Sequence, residues 1–481
     1  MRLLGTVPAE TMKSSAVHFF PHDVLYGRLR PYLNKVYRPE FEGLCSAEFI
    51  VFPASEYLAT KLLQYFLNSF DFVSFASHLN EGDRPRVDFL QLAPYQFPLA
   101  PLAEQHRIVA KIEELLTKLD AGVEALRKAQ VQLKRYRQSV LKAAVTGELT
   151  REWRESTTSC QLVESQQQAG SLLYIEPAEK LLTRILKERR AKWEADQLAK
   201  MKAATKSPKN DDWKKKYKEP RKPQGQLPKL PRGWLWVTWE QIGFSQNGRL
   251  FPSSEYQPRG IKLLRPGNFH IGGRVVWTSA NTRHMPKRWA SEFPEFVVKG
   301  EELIMNLTAQ SLKDEFLGRI CITSPNERCL LNQRIARLTP IQASRHYLLW
   351  LFKSEVFRRF VDTLNTGSLI QHMFTSQLAA FVLPLPSLDE QHRIVSEVER
   401  CLSIADAIER TIEQSLKQAE RMRQSVLKRA FEGKLVPQDL NDEPAELLLE
   451  RIQQERAKRE AEKSAMTKRR TTSPKRRTTS C

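Results

Sequence analysis

The side chains most able to do chemistry are few and lack company. His106 and His392 each stand at the start of a charged, helix-patterned run with no second ligand or acid nearby in sequence. A structural or interface role suits them better than metal binding or proton transfer. Glu432-x-Lys434 has the spacing of the last half of a nuclease motif, but the corresponding residues of a second copy, described below, are Thr146-Gly147-Glu148. A helix end explains both. The sequence contains no G-x-x-x-x-G-K-[S/T] phosphate loop, no glycine-rich strand-to-helix turn for S-adenosylmethionine, and no Asn/Asp-Pro-Pro-aromatic stretch of the kind that holds a flipped adenine. The six cysteines (Cys45, Cys160, Cys321, Cys329, Cys401, Cys481) form no C-x-x-C pair, which argues against a zinc ribbon or a disulfide scaffold and fits a cytoplasmic protein. No catalytic and no metal-binding residue is expected.

What remains is charge. The 481 residues carry 76 Lys and Arg against 55 Asp and Glu, a net +21. A surplus of that size repels itself unless a polyanion accepts it, so nucleic acid is the expected partner. Part of it sits in linkers: Lys200–Lys222 holds ten basic and three acidic residues, and the segment after Glu462 holds seven basic and none acidic. No apolar run approaches the roughly 20 residues of a spanning helix, so no membrane association is expected.

The elements that must position any polar surface are announced by a duplication. Glu104-Gln105-His106-Arg107-Ile108-Val109 returns as Glu390-Gln391-His392-Arg393-Ile394-Val395, an offset of 286 residues. At the same offset Arg137-Gln138-Ser139-Val140-Leu141-Lys142 returns as Arg423-Gln424-Ser425-Val426-Leu427-Lys428, and Gly147-x-Leu149 as Gly433-x-Leu435. Glu176-Pro177-Ala178-Glu179 reappears as Glu443-Pro444-Ala445-Glu446 at an offset of 267.

Between these blocks apolar residues fall three and four apart. The first copy gives Ile108, Ile112, Leu115/Leu116, Leu119, Val123, Leu126, Leu133, Val140 and Ala144. The second gives Ile394, Val398, Leu402, Ala405, Ile408, Ile412, Ala419, Met422 and Val426. That is the seam of a long amphipathic helix, roughly 65 Å for about 43 residues. Each run ends at a glycine suited to the left-handed position past a helix C-terminus. Two such stripes in one chain can bury each other; an antiparallel pair is as reachable as a parallel one, and duplication plus antiparallel pairing would give pseudo-twofold symmetry. Ile112, Leu119, Leu126, Leu133, Arg137, Val140, Val398, Leu402, Ile412, Arg423 and Val426 are the expected interface residues.

Residues 226 to 387 read as a mixed α/β domain. Strand-like runs occur at Ile261–Leu264, Gly273–Trp277, Arg319–Thr323 and Ile335–Leu338, followed by a helix from Ser344 to Leu364. Residues 14 to 101 read as the second half of the same domain, with a helix from Ser55 to Ser74. No counterpart of residues 226 to roughly 285 precedes them.

Pro384-Leu385-Pro386-x-Leu388-x-Glu390-Gln391-x-x-Ile394-Val395, the long helix, Arg423-Gln424-Ser425-Val426-Leu427 and Gly433-x-Leu435, all in duplicate, resemble the specificity subunit of type I restriction-modification enzymes. Leu230-Pro231-x-Gly233-Trp234 and Gly260-Ile261-x-Leu263-Leu264-Arg265-Pro266 resemble the target recognition domains of that family. The resemblance implies an α+β fold in which two α/β target recognition domains, the first incomplete, are separated by two long helices in an antiparallel coiled coil. On this reading residues 1–101 are a partial first recognition domain, truncated at its N-terminus, and 102–150 the first long helix. Residues 151–225 are a helical and basic linker, 226–387 the second recognition domain, 388–437 the second long helix, and 438–481 a short helix with a basic, disordered tail.

The resemblance also implies a non-catalytic subunit that reads a bipartite double-stranded DNA target, with the coil setting the spacing. Two modification subunits using S-adenosylmethionine, and restriction subunits using ATP and Mg, are the implied partners, with no cofactor in this chain. The alternative is a truncated half-specificity or decoy subunit reading only one half-site. Arg and Lys can take guanine edges, and Asn and Gln adenine edges, in the major groove. The residues expected to touch DNA are Arg28, Arg30, Lys35, Arg84 and Arg86 in the first domain, and Arg265, Asn268, Arg274, Lys287, Arg288, Asn306, Gln310, Lys313 and Gln371 in the second.

Overall fold

The computed structural model describes residues 5–11, 15–80, 82–156, 176–204, 210–310, 315–364 and 371–471. The chain divides into two compact units, one of residues 1–130 with 410–481, the other of residues 131–409. Both boundaries fall inside the long helices, α4 (Leu102–Thr146) and α11 (Leu388–Phe431), so each helix contributes one end to each unit.

The first unit opens with β1 (Ala16–Phe19), β2 (Val24–Gly27), β3 (Val36–Tyr37), β4 (Gly43–Ser46) and β5 (Phe49–Phe52). Three short helices follow, α1 (Thr60–Leu67), α2 (Phe70–His78) and α3 (Phe89–Leu92). The strands form a β1-β4 pair and a three-stranded sheet of order β3-β2-β5. Their core gathers Val24, Tyr26, Val36, Phe66, Phe72 and Ala76. A second cluster joins Leu62 to Ile108, Val109, Ile112 and Leu116 at the start of α4 and to Leu427 and Ala430 at the end of α11. The two helix segments in this unit therefore run antiparallel.

The second unit contains α5 (Ala178–Ala203), β6 (Leu235–Thr238), α6 (Trp239–Ile242), β7 (Gly243–Asn247), β8 (Ile261–Leu264), β9 (His284–Met285), α7 (Arg288–Glu292), β10 (Val297–Val298), β11 (Leu303–Asn306) and β12 (Thr308–Ala309). It continues through β13 (Ile320–Ile322), β14 (Cys329–Leu331), β15 (Ile335–Pro340), α8 (Arg345–Phe352), α9 (Glu355–Thr363), β16 (Gln371–His372), α10 (Thr375–Ala379) and β17 (Val382–Leu385). Two four-stranded sheets, β10-β14-β8-β9 and β13-β11-β15-β7, stand beside the pairs β12-β16 and β17-β6. Val140, Leu141, Ala144 and Val145 at the end of α4 share one core with Ile394, Val398 and Cys401 at the start of α11. Here too the segments are antiparallel. The last helix, α12 (Ala445–Thr471), belongs to the first unit.

The seam is narrower than the periodicity suggests. Ile112, Leu133, Val140, Val398, Ala405, Ile412 and Ala419 are buried and Leu119, Leu126, Leu402 and Val426 half-buried, but Ile408 and Met422 are 45% and 49% exposed. A straight helix drifts off a 3.5-residue repeat, so not every three-four step can face the partner. Arg137 and Arg423 rim the contact: Arg137 pairs with Asp406 and Glu409, the latter at 2.8 Å, and Arg423 with Asp120. Arg423 and Asp406 are the 286-residue counterparts of Arg137 and Asp120, so the duplication reproduces the ion pair as well as the stripe.

Both expected helices after the sheet are broken. The stretch from Ser55 enters α1 only at Thr60 and restarts as α2 at Phe70, because the Ser69 hydroxyl accepts the Phe72 amide and caps a new helix. The stretch from Ser344 likewise ends α8 at Phe352 and resumes as α9 behind Ser354, whose buried hydroxyl donates to the Leu351 carbonyl at 2.7 Å. Residues 273–277 make isolated bridges (Phe269 to Val275, Arg274 to Ile322) instead of a strand. Gly147 and Gly433 do take the left-handed conformation, at φ 78° and 69°. Among the described residues no helix is long and apolar enough to cross a membrane.

Candidate nucleic-acid interface

The Glu-Gln pair that announces each copy works as a hinge pin between domain and helix. Gln105 and Gln391 are fully buried. The Gln105 Oε1 accepts the Ala59 amide at 2.9 Å while its Nε2 donates to Ala100 O at 2.9 Å. Gln391 repeats this with the Ser344 amide at 2.8 Å and Pro386 O at 3.0 Å. Each side chain thus ties the helix start to the preceding turn and to the entry of α1 or α8. A buried amide satisfied on both sides is worth keeping, since stranding either half costs roughly 1–3 kcal/mol. His106 and His392, next in sequence, are exposed.

On this framework both units build the same small ribbon. In the second unit β12 pairs antiparallel with β16, setting Ala309 opposite Gln371 and Thr308 opposite His372. In the first, Leu29 bridges Arg86 at the corresponding place. The flanking bonds match: Met373 N donates to Leu307 O at 2.9 Å, and Val87 N to Arg28 O at 3.1 Å. Of the residues selected from sequence, Gln310 and Gln371 therefore come together on one ribbon, and Arg28, Arg30, Arg84 and Arg86 on its counterpart.

These side chains are not equally free. Gln310 and Arg84 are exposed, and Gln371 is half-buried. The Arg28 Nε donates to Val87 O at 3.1 Å, and Arg86 pairs with Glu48. Arg30 is half-buried with a left-handed backbone, and Lys35 is half-buried where its carbonyl accepts the Gly27 amide at 2.8 Å.

The other selected residues lie apart from the ribbon in sequence. Arg274 and Lys287 are exposed, Arg265 stacks over Tyr256 at 5.8 Å, and Arg288 pairs with Glu255 at 2.5 Å. Lys313 lies outside the described residues, as does the tail repeat from Thr472 onward. Asn268 and Asn306 require correction. Asn268 is 1% exposed, accepts the Arg265 amide at 2.9 Å and donates to Val276 O; Asn306 is wholly buried and donates to Thr308 O at 2.7 Å and Phe316 O at 2.8 Å. Both amides are spent on turning the backbone and present nothing to a base edge.

Sequence reasoning missed Arg334. It is exposed, and its carbonyl accepts the Leu307 amide at 2.9 Å, which sets it beside the ribbon. Its counterpart is Glu48, whose carbonyl accepts the Arg28 amide at 2.8 Å. Arg334 sits in a strand-entry turn, so neither periodicity nor a charge run singles it out. Burial pushes the Lys353 ammonium, in the second unit, down to about 8. Among the described residues no group of three or more His, Cys, Asp or Glu could hold a metal ion.

Part of the chain matches a known protein family, and most of its length is similar to known proteins. Residues 268–418 match the family described as type I restriction modification DNA specificity domain. The chain is 24% identical over 373 residues to the Escherichia coli type I restriction enzyme EcoDI specificity subunit, covering 74% of this chain and 67% of that one. It is 25% identical over 375 residues to the E. coli EcoBI specificity subunit, with 75% and 64% covered. The chain thus spans about two thirds of the length of these relatives. A chain solved in a study of complex assembly and conformational transition of the type I R-M system superposes with a TM-score of 0.52 at 20% identity, covering 87% of this chain and 83% of that one. Over most of its length the chain is thus similar to specificity subunits of type I restriction enzymes, and residues 268–418 match the specificity-domain family.

Proposed function

We propose that this chain confers DNA sequence specificity on a type I restriction-modification complex by reading a bipartite double-stranded target, one half with each unit, and that it carries out no chemistry itself. The observation that supports this most is the ribbon, built twice on the same framework and edged with different side chains: Arg30, Arg84 and Arg86 in one unit, Gln310, Gln371 and Arg334 in the other. A shared scaffold with divergent polar edges suits two different half-sites, because base choice depends on donor and acceptor patterns and not on the scaffold. The net +21 supplies the sequence-independent attraction to phosphate. In this reading two modification subunits bring S-adenosylmethionine chemistry, and restriction subunits bring the ATP- and Mg-dependent steps.

The test is methylation of a random DNA library by the chain purified with its modification subunits. Methylation confined to one split motif is expected; methylation without sequence preference would overturn the proposal. A second reading, in which only the second unit reads DNA, draws on the smaller sheets of the first unit. A single contiguous motif would favour it.

A further inference from the structure

The basic stretch before the second recognition domain is tied down. Residues 210–232 hold eight Lys and Arg against three Asp and Glu, with one short helical turn at Asp212–Lys216. A passive linker of that composition stays solvated, since nothing repays the entropy of ordering it. Here a series of contacts pins it to the second unit. Trp213, 9% exposed, stacks on Trp193 of α5 with ring centroids 5.9 Å apart, and Tyr217 meets the same indole edge-on at 5.3 Å. The Arg190 guanidinium lies 5.6 Å from the Tyr217 centroid. The Arg221 carbonyl accepts the Thr238 hydroxyl at 2.8 Å, and its Nε donates to Glu240 at 2.9 Å. Pro228 O accepts the Trp236 indole N–H at 2.8 Å.

These anchors leave the outer cations unspent. Asp211 pairs with Lys214, Asp212 with Lys215, and Glu240 with Arg221. Lys216, Lys218, Lys222, Lys229 and Arg232 are exposed, and among the described residues none has an ion pair. Only Glu219 lies between them with the opposite sign. The strip also reaches the ribbon: Arg221 Nη2 donates at 3.4 Å to the carbonyl of Ser376, which opens α10 directly behind β16. Unpaired cations are therefore held at the edge that carries Gln310 and Gln371.

We propose that residues 210–232 form a fixed phosphate rail, on which Lys216, Lys218, Lys222, Lys229 and Arg232 grip the backbone of duplex DNA beside the half-site on the second ribbon. This deepens, and rests on, the DNA-reading proposal above. Duplex DNA fits better than an acidic protein surface because the strip runs into the ribbon. Phosphate contacts of this kind fix register and carry no base information.

Filter binding over a salt series tests the rail, with the chain in complex with its modification subunits and duplexes with and without the recognised motif. Lys216→Gln, Lys218→Gln and Lys222→Gln together should lower the slope of log affinity against log salt by about 3 on both duplexes, roughly 0.9 per lost contact. The methylated motif should not change. The three side chains are exposed, so their loss leaves the fold intact. Trp213→Ala keeps every charge but releases the strip, and should lower the slope by about 1 to 2. An unchanged slope in the triple variant would overturn the proposal, and an unchanged slope in Trp213→Ala would reduce the rail to diffuse charge and overturn it as well. So would loss of the modification subunits from the triple variant at constant slope, which would make an acidic protein surface the occupant. A parent complex that binds both duplexes equally would instead sink the DNA-reading proposal, while the slopes would still report on the rail.

Discussion

Glu390 and Glu104 open the same helix turn, in the same two-letter motif, and are buried to the same 4% exposure, yet three donors reach the first carboxylate, whereas the second acts on Arg107, itself paired with Asp442. The difference lies in what packs on the helix start. In the second unit the Trp234 indole and Arg154 close over the carboxylate, Pro231 fills the space above Gly147, and α5 buries Ala178, Leu181 and Ile185 completely. In the first, α12 buries Leu448 but leaves Leu449 46% exposed. The duplicated motif therefore encodes one framework in both units, with different packing on the helix start.

The largest expected effect breaks that comparison at its centre. Glu390→Ala strands the Trp234 and Arg154 donors and should cost about 3–5 kcal/mol of stability. Glu104→Ala breaks no such set of three hydrogen bonds and should cost no more than about 1 kcal/mol. Denaturant unfolding of both variants checks this; equal losses would contradict it.

The long helices, their antiparallel contact and the glycine stops were legible in sequence because a 3.6-residue period and a left-handed cap leave strong local signatures. Ile408 and Met422 were misplaced because the same period cannot say where the stripe drifts off the partner. The breaks at Ser69 and Ser354 were hidden inside otherwise helical patterns. The candidate recognition surface was legible only as composition. Arg28, Arg30, Arg84 and Arg86 meet through a bridge between segments more than 50 residues apart, and Asn268 and Asn306 look identical in sequence to amides that face a base. Which polar side chains are spent on turns is a property of tertiary backbone, not of residue type.

Gly147→Ala and Gly433→Ala sharpen the contrast at the helix ends. Both replace a glycine at positive φ, a strain of about 1 kcal/mol. Gly147→Ala also drives a methyl into Pro231, so it should lose about 2–3 kcal/mol in total. Thermal melts showing equal destabilisation would contradict the open space above Gly433.

Next come the ribbons. Arg334→Ala should lower the slope of log affinity against log salt by about 1, as expected for one lost phosphate contact, whereas Arg86→Ala should change it less because Glu48 already neutralises Arg86. Glu48→Gln should raise affinity. Filter binding over a salt series reads all three, and an unchanged slope for Arg334→Ala would remove that residue from the interface.

The smallest effect is a pH dependence confined to one unit. Burial holds the Lys353 ammonium at about 8 in the folded chain against 10.5 for an ordinary lysine. Between those values the unfolded chain binds the extra proton, so the Lys353 contribution to stability should rise as pH climbs from about 8 to 10.5. Asn68 stands at the matching position of the first unit, and Lys353→Asn should flatten that rise in melts across the range.

The most direct test of two reading units on one chain is a footprint of the purified complex on its methylated motif. Two protected segments separated by an unprotected spacer are expected, with Gln310→Ala and Gln371→Ala altering base preference in one segment and Arg84→Ala in the other. A single uninterrupted footprint, or base preferences that shift in both segments with any one of these changes, would contradict it.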